Sequence, residues 1–186
     1  MNSLLWSLPA RMPVKLFFAI RPDGEAGAEI ERLGSRLKSA HRLRGRAIAR
    51  ERLHNTLAAV HDAGTISENI ARAKAVGDRL GHSSFTVRFD WTASFKGGGH
   101  GHPFVLRGDD GLRPLQEFRE NLRTQMLCAG FGVEPGFTPH VTLLWADRCV
   151  AEYPIAPITW TVREFVLTAS LQGQSRHIDV AHWSLN

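Results

Sequence analysis

A four-residue pattern, His-x-Thr-Leu, occurs twice in this chain, as His54-Asn55-Thr56-Leu57 and as His140-Val141-Thr142-Leu143. Each copy sits in a short apolar run of the kind that forms a strand. Residues two apart on a strand share a face. His54 therefore lies with Thr56 and His140 with Thr142, while Leu57 and Leu143 point the other way, toward a core. Pro139 keeps Thr138 out of helical geometry and favours an extended lead into the second copy. The chain has nine histidines, and roughly half a His-x-Thr is expected by chance at ordinary threonine usage. Two copies, each followed by Leu, ask for a fold with two half-open strands. Two related halves would bring four polar side chains to one cleft.

The remaining periodicities supply such halves. Residues 15–20 (KLFFAI) read as a strand closed by the turn Arg21-Pro22-Asp23-Gly24. Ile30, Leu33 and Leu37 recur at helical spacing over 25–40. A strand over 53–60 follows, then a second helix capped by Ser67, with Ile70, Ala73, Gly77 and Leu80 inward. Phe85, Val87, Phe89 and Trp91 alternate on a strand over 84–91. A glycine-rich loop over 96–101 leads to a partner strand over 103–107, and Leu112, Leu115, Phe118, Leu122 and Met126 mark a third helix. Strands over 140–145, 161–169 and 177–180 complete the series. Interleaved helices and short strands predict an α+β layer arrangement. A helix precedes each His-x-Thr-Leu strand. Residues 1–13 read as an N-terminal extension and 14–186 as one domain.

Composition narrows the function classes. A hydrophobic fraction of 43% and a charged fraction of 22% suit a globular core. Cys128 and Cys149 form neither a disulfide framework nor a zinc-ligand spacing, which suits a reducing cytoplasm. The opening residues lack a basic stretch before their apolar run, and Pro9 interrupts it, so they read as neither signal peptide nor membrane span. A soluble cytoplasmic monomer with no membrane partner is expected. The net charge is +5 and the pI about 9.9, a balance that attracts phosphates. Arg42, Arg44, Arg46, Arg50 and Arg52 cluster just before the first motif. They read as a solvated connection or as an electrostatic approach surface for RNA.

The paired motifs suit metal-free phosphodiester chemistry. One neutral imidazole takes a proton from water or a ribose hydroxyl, and the other, as imidazolium, donates to the departing oxygen. Threonine hydroxyls at Thr56 and Thr142 can bond the non-bridging phosphate oxygens. No standard zinc spacing occurs among His61, His100, His102, His177 and His182. No metal or cofactor is expected, and the histidines outside the motifs read as surface or packing residues. Phe95 reads as a core aromatic or as a groove-lining ring.

Taken together, KLFFAI, ERLHNTL, FTPHVTLL and WTVREFVLTAS resemble, in this order, the 2H phosphoesterases of the 2′-5′ RNA ligase-like, RNA 2′,3′-cyclic phosphodiesterase family. The likeness runs over nearly the whole domain. It implies a bilobal α+β fold, two pseudo-symmetric antiparallel-sheet lobes with outer helices around a central groove. It also implies catalysis by His54 and His140 with substrate held by Thr56 and Thr142. The implied reaction opens a 2′,3′-cyclic phosphate on an RNA end or nucleotide to a 2′-phosphomonoester, without a metal or cofactor. Three departures stand out. Asn55 takes an apolar position, which predicts a less buried first strand. LAAVHDAG lacks the family's aromatic and glycine pattern. Trp145 stands where an arginine is frequent; Arg107 on a neighbouring strand is a candidate to supply that charge, and Trp145 to stack on a base. Two other readings remain open: an RNA-binding module without turnover, and the same chemistry on a small non-RNA cyclic phosphate.

Overall fold

Alternating burial builds two four-stranded antiparallel sheets. The computed structural model describes residues 14–97, 101–174 and 176–186. The N-terminal extension and, in the glycine-rich loop, Gly98, Gly99 and His100 lie outside the described residues. In chain order the elements are β1 (Val14–Ile20), α1 (Gly24–Ala40), β2 (Asn55–Val60), α2 (Ile66–Asp78), β3 (Phe85–Ser94), β4 (His102–Arg107), α3 (Arg113–Cys128), β5 (Val141–Ala146), β6 (Tyr153–Val162), β7 (Glu164–Leu171) and β8 (Arg176–Ser184). The first sheet has the order β2-β1-β7-β8 and the second β5-β4-β3-β6. The mixed α+β class expected from the sequence is the one observed.

Both motif strands, β2 and β5, are edge strands, each hydrogen-bonded to the central strand that precedes it, β1 or β4. The two helices within the strand–helix–strand units tie the sheets together: α1 crosses to pack on β5 and β6 of the second sheet, and α3 bridges β3 of its own sheet and β2 of the first. Phe18 and Phe165 of the first sheet, Phe118 of α3 and Phe85 of the second sheet form a chain of ring contacts at 6.3, 5.2 and 5.4 Å. One apolar core therefore serves both lobes, which ties the two motif strands to a common frame.

Three sequence expectations are corrected. The expected strand over 161–169 is two strands in different sheets: β6 pairs with β3, and after Arg163 the chain enters β7, which pairs with β1. Pro154 and Pro157 hide β6 from a propensity reading, yet β6 is an edge strand, where proline is tolerated. Thr65, not Ser67, caps α2, in a capping box with Glu68. Asn55 does not loosen the first strand: it is 0% exposed.

Candidate active site

Both motif strands carry the same irregularity. In β2, Ala19 faces Thr56 and Phe18 faces Ala58, so Leu57 is an extra residue; in β5, Val105 faces Thr142 and Phe104 faces Leu144, so Leu143 is. Such a bulge turns two successive side chains inward and re-aims the residues beyond it. Leu57 and Ala58 are both buried, as are Leu143 and Leu144. His54, Thr56, His140 and Thr142 stay half-buried on the open faces. Each histidine lies one residue before its ladder begins, so the ladders start later than the periodicity suggests.

The two imidazoles are held alike. His54 Nδ1 lies 2.7 Å from the Arg52 carbonyl and His140 Nδ1 lies 2.8 Å from the Thr138 carbonyl. A carbonyl only accepts, so Nδ1 must carry a proton and Nε2 is the nitrogen free to exchange one. Burial pushes the His54 pKa below its ordinary 6.5, with Arg21, His140 and Arg52 adding positive charge in the same direction; the Arg52 carbonyl opposes them. Burial and Arg107 lower that of His140 against the Thr138 carbonyl. Both rings are thereby kept neutral near pH 7.

The lobes meet at these motifs. Asn55 Nδ2 donates to the His140 carbonyl at 2.9 Å, joining the residue after one histidine to the backbone of the other. Arg119 of α3, almost fully buried, donates from Nε to the Leu57 carbonyl at 3.4 Å and from Nη2 to the Glu134 carbonyl. It thus ties the first motif's bulge to the loop that leads into the second motif. A groove of about 750 Å³ opens here, lined by Thr56 and Ala59 from one lobe and by Phe137, Thr138 and His140 from the other.

Arg21 and Arg107 occupy matching places. Arg21 follows Ile20, which faces Asn55; Arg107 follows Leu106, which faces Val141. Arg21 pairs with Asp179 at 2.6 Å and Arg107 with Glu152 at 3.2 Å, and the buried Nε of each has no protein partner. Arg107 is the cation that sequence reasoning singles out; Arg21 reads there only as part of a turn. The signal available is an apolar residue followed by arginine at the end of β1 (Ile20-Arg21) and of β4 (Leu106-Arg107). His177 of β8, expected at the surface or in packing, sits edge-on to His54 at 5.2 Å and to Phe17 at 5.6 Å, while Phe17 stacks on His54 at 5.1 Å. Burial, with His54, Arg52 and Arg21 adding repulsion, pushes its pKa down to about 4. Phe95 lies edge-on to His140 at 4.9 Å, outside the main core. Among the described residues no three His, Cys, Asp or Glu side chains are grouped as metal ligands would be.

A family model for the 2′-5′ RNA ligase superfamily matches residues 22–174. Among solved structures, the chain is similar to Escherichia coli LigT in its apo form, with TM-score 0.74 and 27% identity over 94% of this chain and 99% of that one. The LigT complex with 3′-AMP matches at TM-score 0.71 and 27% identity with the same coverage. A Thermus thermophilus protein, 19% identical, shares the fold at TM-score 0.72, covering 92% of this chain and 97% of its own. No curated protein sequence matches.

Proposed function

This chain belongs to the 2′-5′ RNA ligase superfamily of 2H phosphoesterases, and from that premise we propose that it hydrolyses the 2′,3′-cyclic phosphate of an RNA end or nucleotide to a 2′-phosphomonoester. The observation that carries this reading is the matched pair of imidazoles: each offers Nε2 because its Nδ1 is committed to a carbonyl two residues back. LigT has been crystallised with 3′-AMP, ATP, NADP+ and phosphate, ligands that share phosphate groups with the proposed substrate.

Water attacks phosphorus in line with the 3′ oxygen. One Nε2 takes the water proton, the P–O3′ bond breaks, and the other Nε2–H protonates O3′. The products are a 2′-phosphate and a free 3′-hydroxyl. Thr56 and Thr142 donate to the non-bridging oxygens, and Arg21 and Arg107 offset the anionic charge from opposite lobes. The two imidazoles are held alike, so either can act as the base while the other acts as the acid.

Phosphorus NMR of a 2′,3′-cyclic mononucleotide and of a short RNA with the same end, in EDTA, tests the reading. Wild type is expected to form the 2′-phosphate, with His54→Ala and His140→Ala each slower by about 10²–10⁴-fold. Turnover that survives either substitution, or an inactive wild type, overturns it.

A further inference from the structure

One exposed aromatic side chain stands on the face that carries the second motif. Trp145 is 46% exposed. It faces Pro103 across β4, and Val105, two residues further on, faces Thr142. Residues two apart share a face, so Trp145 projects from the same side of the sheet as Thr142. The Leu143 bulge makes this possible: without the extra residue, position 145 would fall on the buried side. Thr142 and Trp145 are about 7–10 Å apart along the strand, within reach of a nucleotide unit.

A basic segment runs beside this tryptophan. Ala47 forms an antiparallel bridge with Leu144, and Ile48 N–H donates to the Leu143 carbonyl at 2.7 Å. The bridge brings Arg46 level with Trp145 and extends the second sheet past β5. Gly45, at φ +114°, lies so close to the strand that a Cβ would overlap the Trp145 carbonyl oxygen. Arg42, Arg44 and Arg46 are exposed, and among the described residues none of their side chains has an acidic partner within ion-pair distance. Asp147 is the nearby acid; its carboxylate accepts from the Arg44 backbone N–H at 2.8 Å.

Resting on the activity proposed above, we infer that Trp145 and the Arg44–Arg46 segment form a track for the single-stranded RNA immediately upstream of the terminal phosphate. A base stacks on the indole, and Arg44 and Arg46 neutralise successive phosphates. Unpaired nucleic acid fits this combination: every base has a π-face, and the backbone is a regular row of anions. A duplex does not, because its bases are already stacked. Trp145 thus gives the second motif a stacking platform that reads chain length.

Binding of 3′-phosphorylated RNAs, which have no cyclic ester to open, tests the track apart from turnover. Wild-type affinity is expected to rise at least about tenfold from a mononucleotide 3′-phosphate to a single-stranded pentanucleotide. Trp145→Ala should erase most of that increment and Trp145→Phe should keep most of it. Arg44→Ala combined with Arg46→Ala should lower the slope of log K against log salt by about 1.4 for the pentanucleotide. No length-dependent gain in wild type, a gain indifferent to Trp145→Ala, or equal binding of a base-paired hairpin of the same length overturns the track. Hydrolysis is scored separately, so an inactive protein that still shows the Trp145-dependent gain would overturn the activity and leave the track standing.

Discussion

Burial lowers the pKa of both His54 and His140 below 6.5, and that shift controls the expected pH dependence. kcat/KM requires one neutral and one charged imidazole in the free protein, so its maximum is expected below pH 6.5, between the two lowered values. kcat belongs to the complex, where the bound phosphodiester anion favours imidazolium, and its alkaline limb is expected at higher pH. Pre-steady-state and steady-state profiles check both, and a kcat/KM maximum well above neutrality removes the two-histidine assignment. Loss of the base removes the acidic limb of the residual activity and loss of the acid removes the alkaline limb, so the profiles of His54→Ala and His140→Ala assign the two roles. Asn55 makes a second residue-scale prediction. Its amide joins the motifs, while its buried Oδ1 has no protein partner. Asn55→Ala should cost about 1–3 kcal/mol in urea unfolding. It should also lower kcat about 10- to 100-fold by letting the lobes shift. Unchanged kcat with lowered stability would reduce Asn55 to a packing role. Both histidines and both threonines are legible in the sequence because the motif repeats. Asn55 is not, because alternation says only that a residue faces inward, and the partner that makes an inward amide tolerable comes from a distant strand.

At the scale of elements, β5 is a strand with three attachments: β4 on one side, the Ala47 bridge on the other, and α1 behind, where Gly34 brings the helix against Leu143. The bridge depends on Gly45, since a side chain there would meet both a strained φ and the Trp145 carbonyl. Gly45→Ala is expected to destabilise by about 1–3 kcal/mol and to lose hydrogen-exchange protection first at Ile48, which bonds to Leu143. Protection that stays at the wild-type level would show that the segment holds without this approach. The helices are legible because each keeps an apolar stripe, but the bulges at Leu57 and Leu143 are not. A bulge is a mismatch between two strands, and a single strand's periodicity contains no trace of its partner's register. The division of 161–169 between two sheets is hidden for the same reason: the apolar run continues while its neighbours change.

Across the whole molecule, the open faces of two edge strands are held together by one core, and the charge between them is mainly positive. Arg21, Arg52 and Arg107 surround His54, His140 and His177, and burial lowers the pKa of all three rings. Unfolded, these histidines titrate near 6.5, so the unfolded chain binds more protons wherever the pH lies below 6.5 and above the folded values. Stability should therefore fall as pH drops through that window, which for His177 runs from 6.5 to about 4. Urea midpoints between pH 7 and pH 4 test this. His177→Phe should flatten the slope, and an unchanged slope would mean that His177 is not held neutral in the fold. Phosphate, by pairing with these cations, should protect most in the acid part of the window.

What the sequence determined by itself is local. Apolar spacing set three helices and most strands, alternation set which side of each strand a histidine or threonine faces, and the repeat of the motif pointed to two halves. These depend on neighbours within a few positions, where geometry is nearly invariant. Tertiary structure alone decided that α1 crosses to the second sheet and α3 bridges both, that Asn55 and Arg119 clamp one motif to the other, and that His177 lies against His54. It also decided that the two bulges leave Thr56 in the groove lining, Thr142 half-buried on the open face of β5, and Trp145 facing outward beside the arginines. Each of these joins residues far apart in the chain. Such distances are set by how the two sheets share a core, and no stretch of sequence carries that packing on its own.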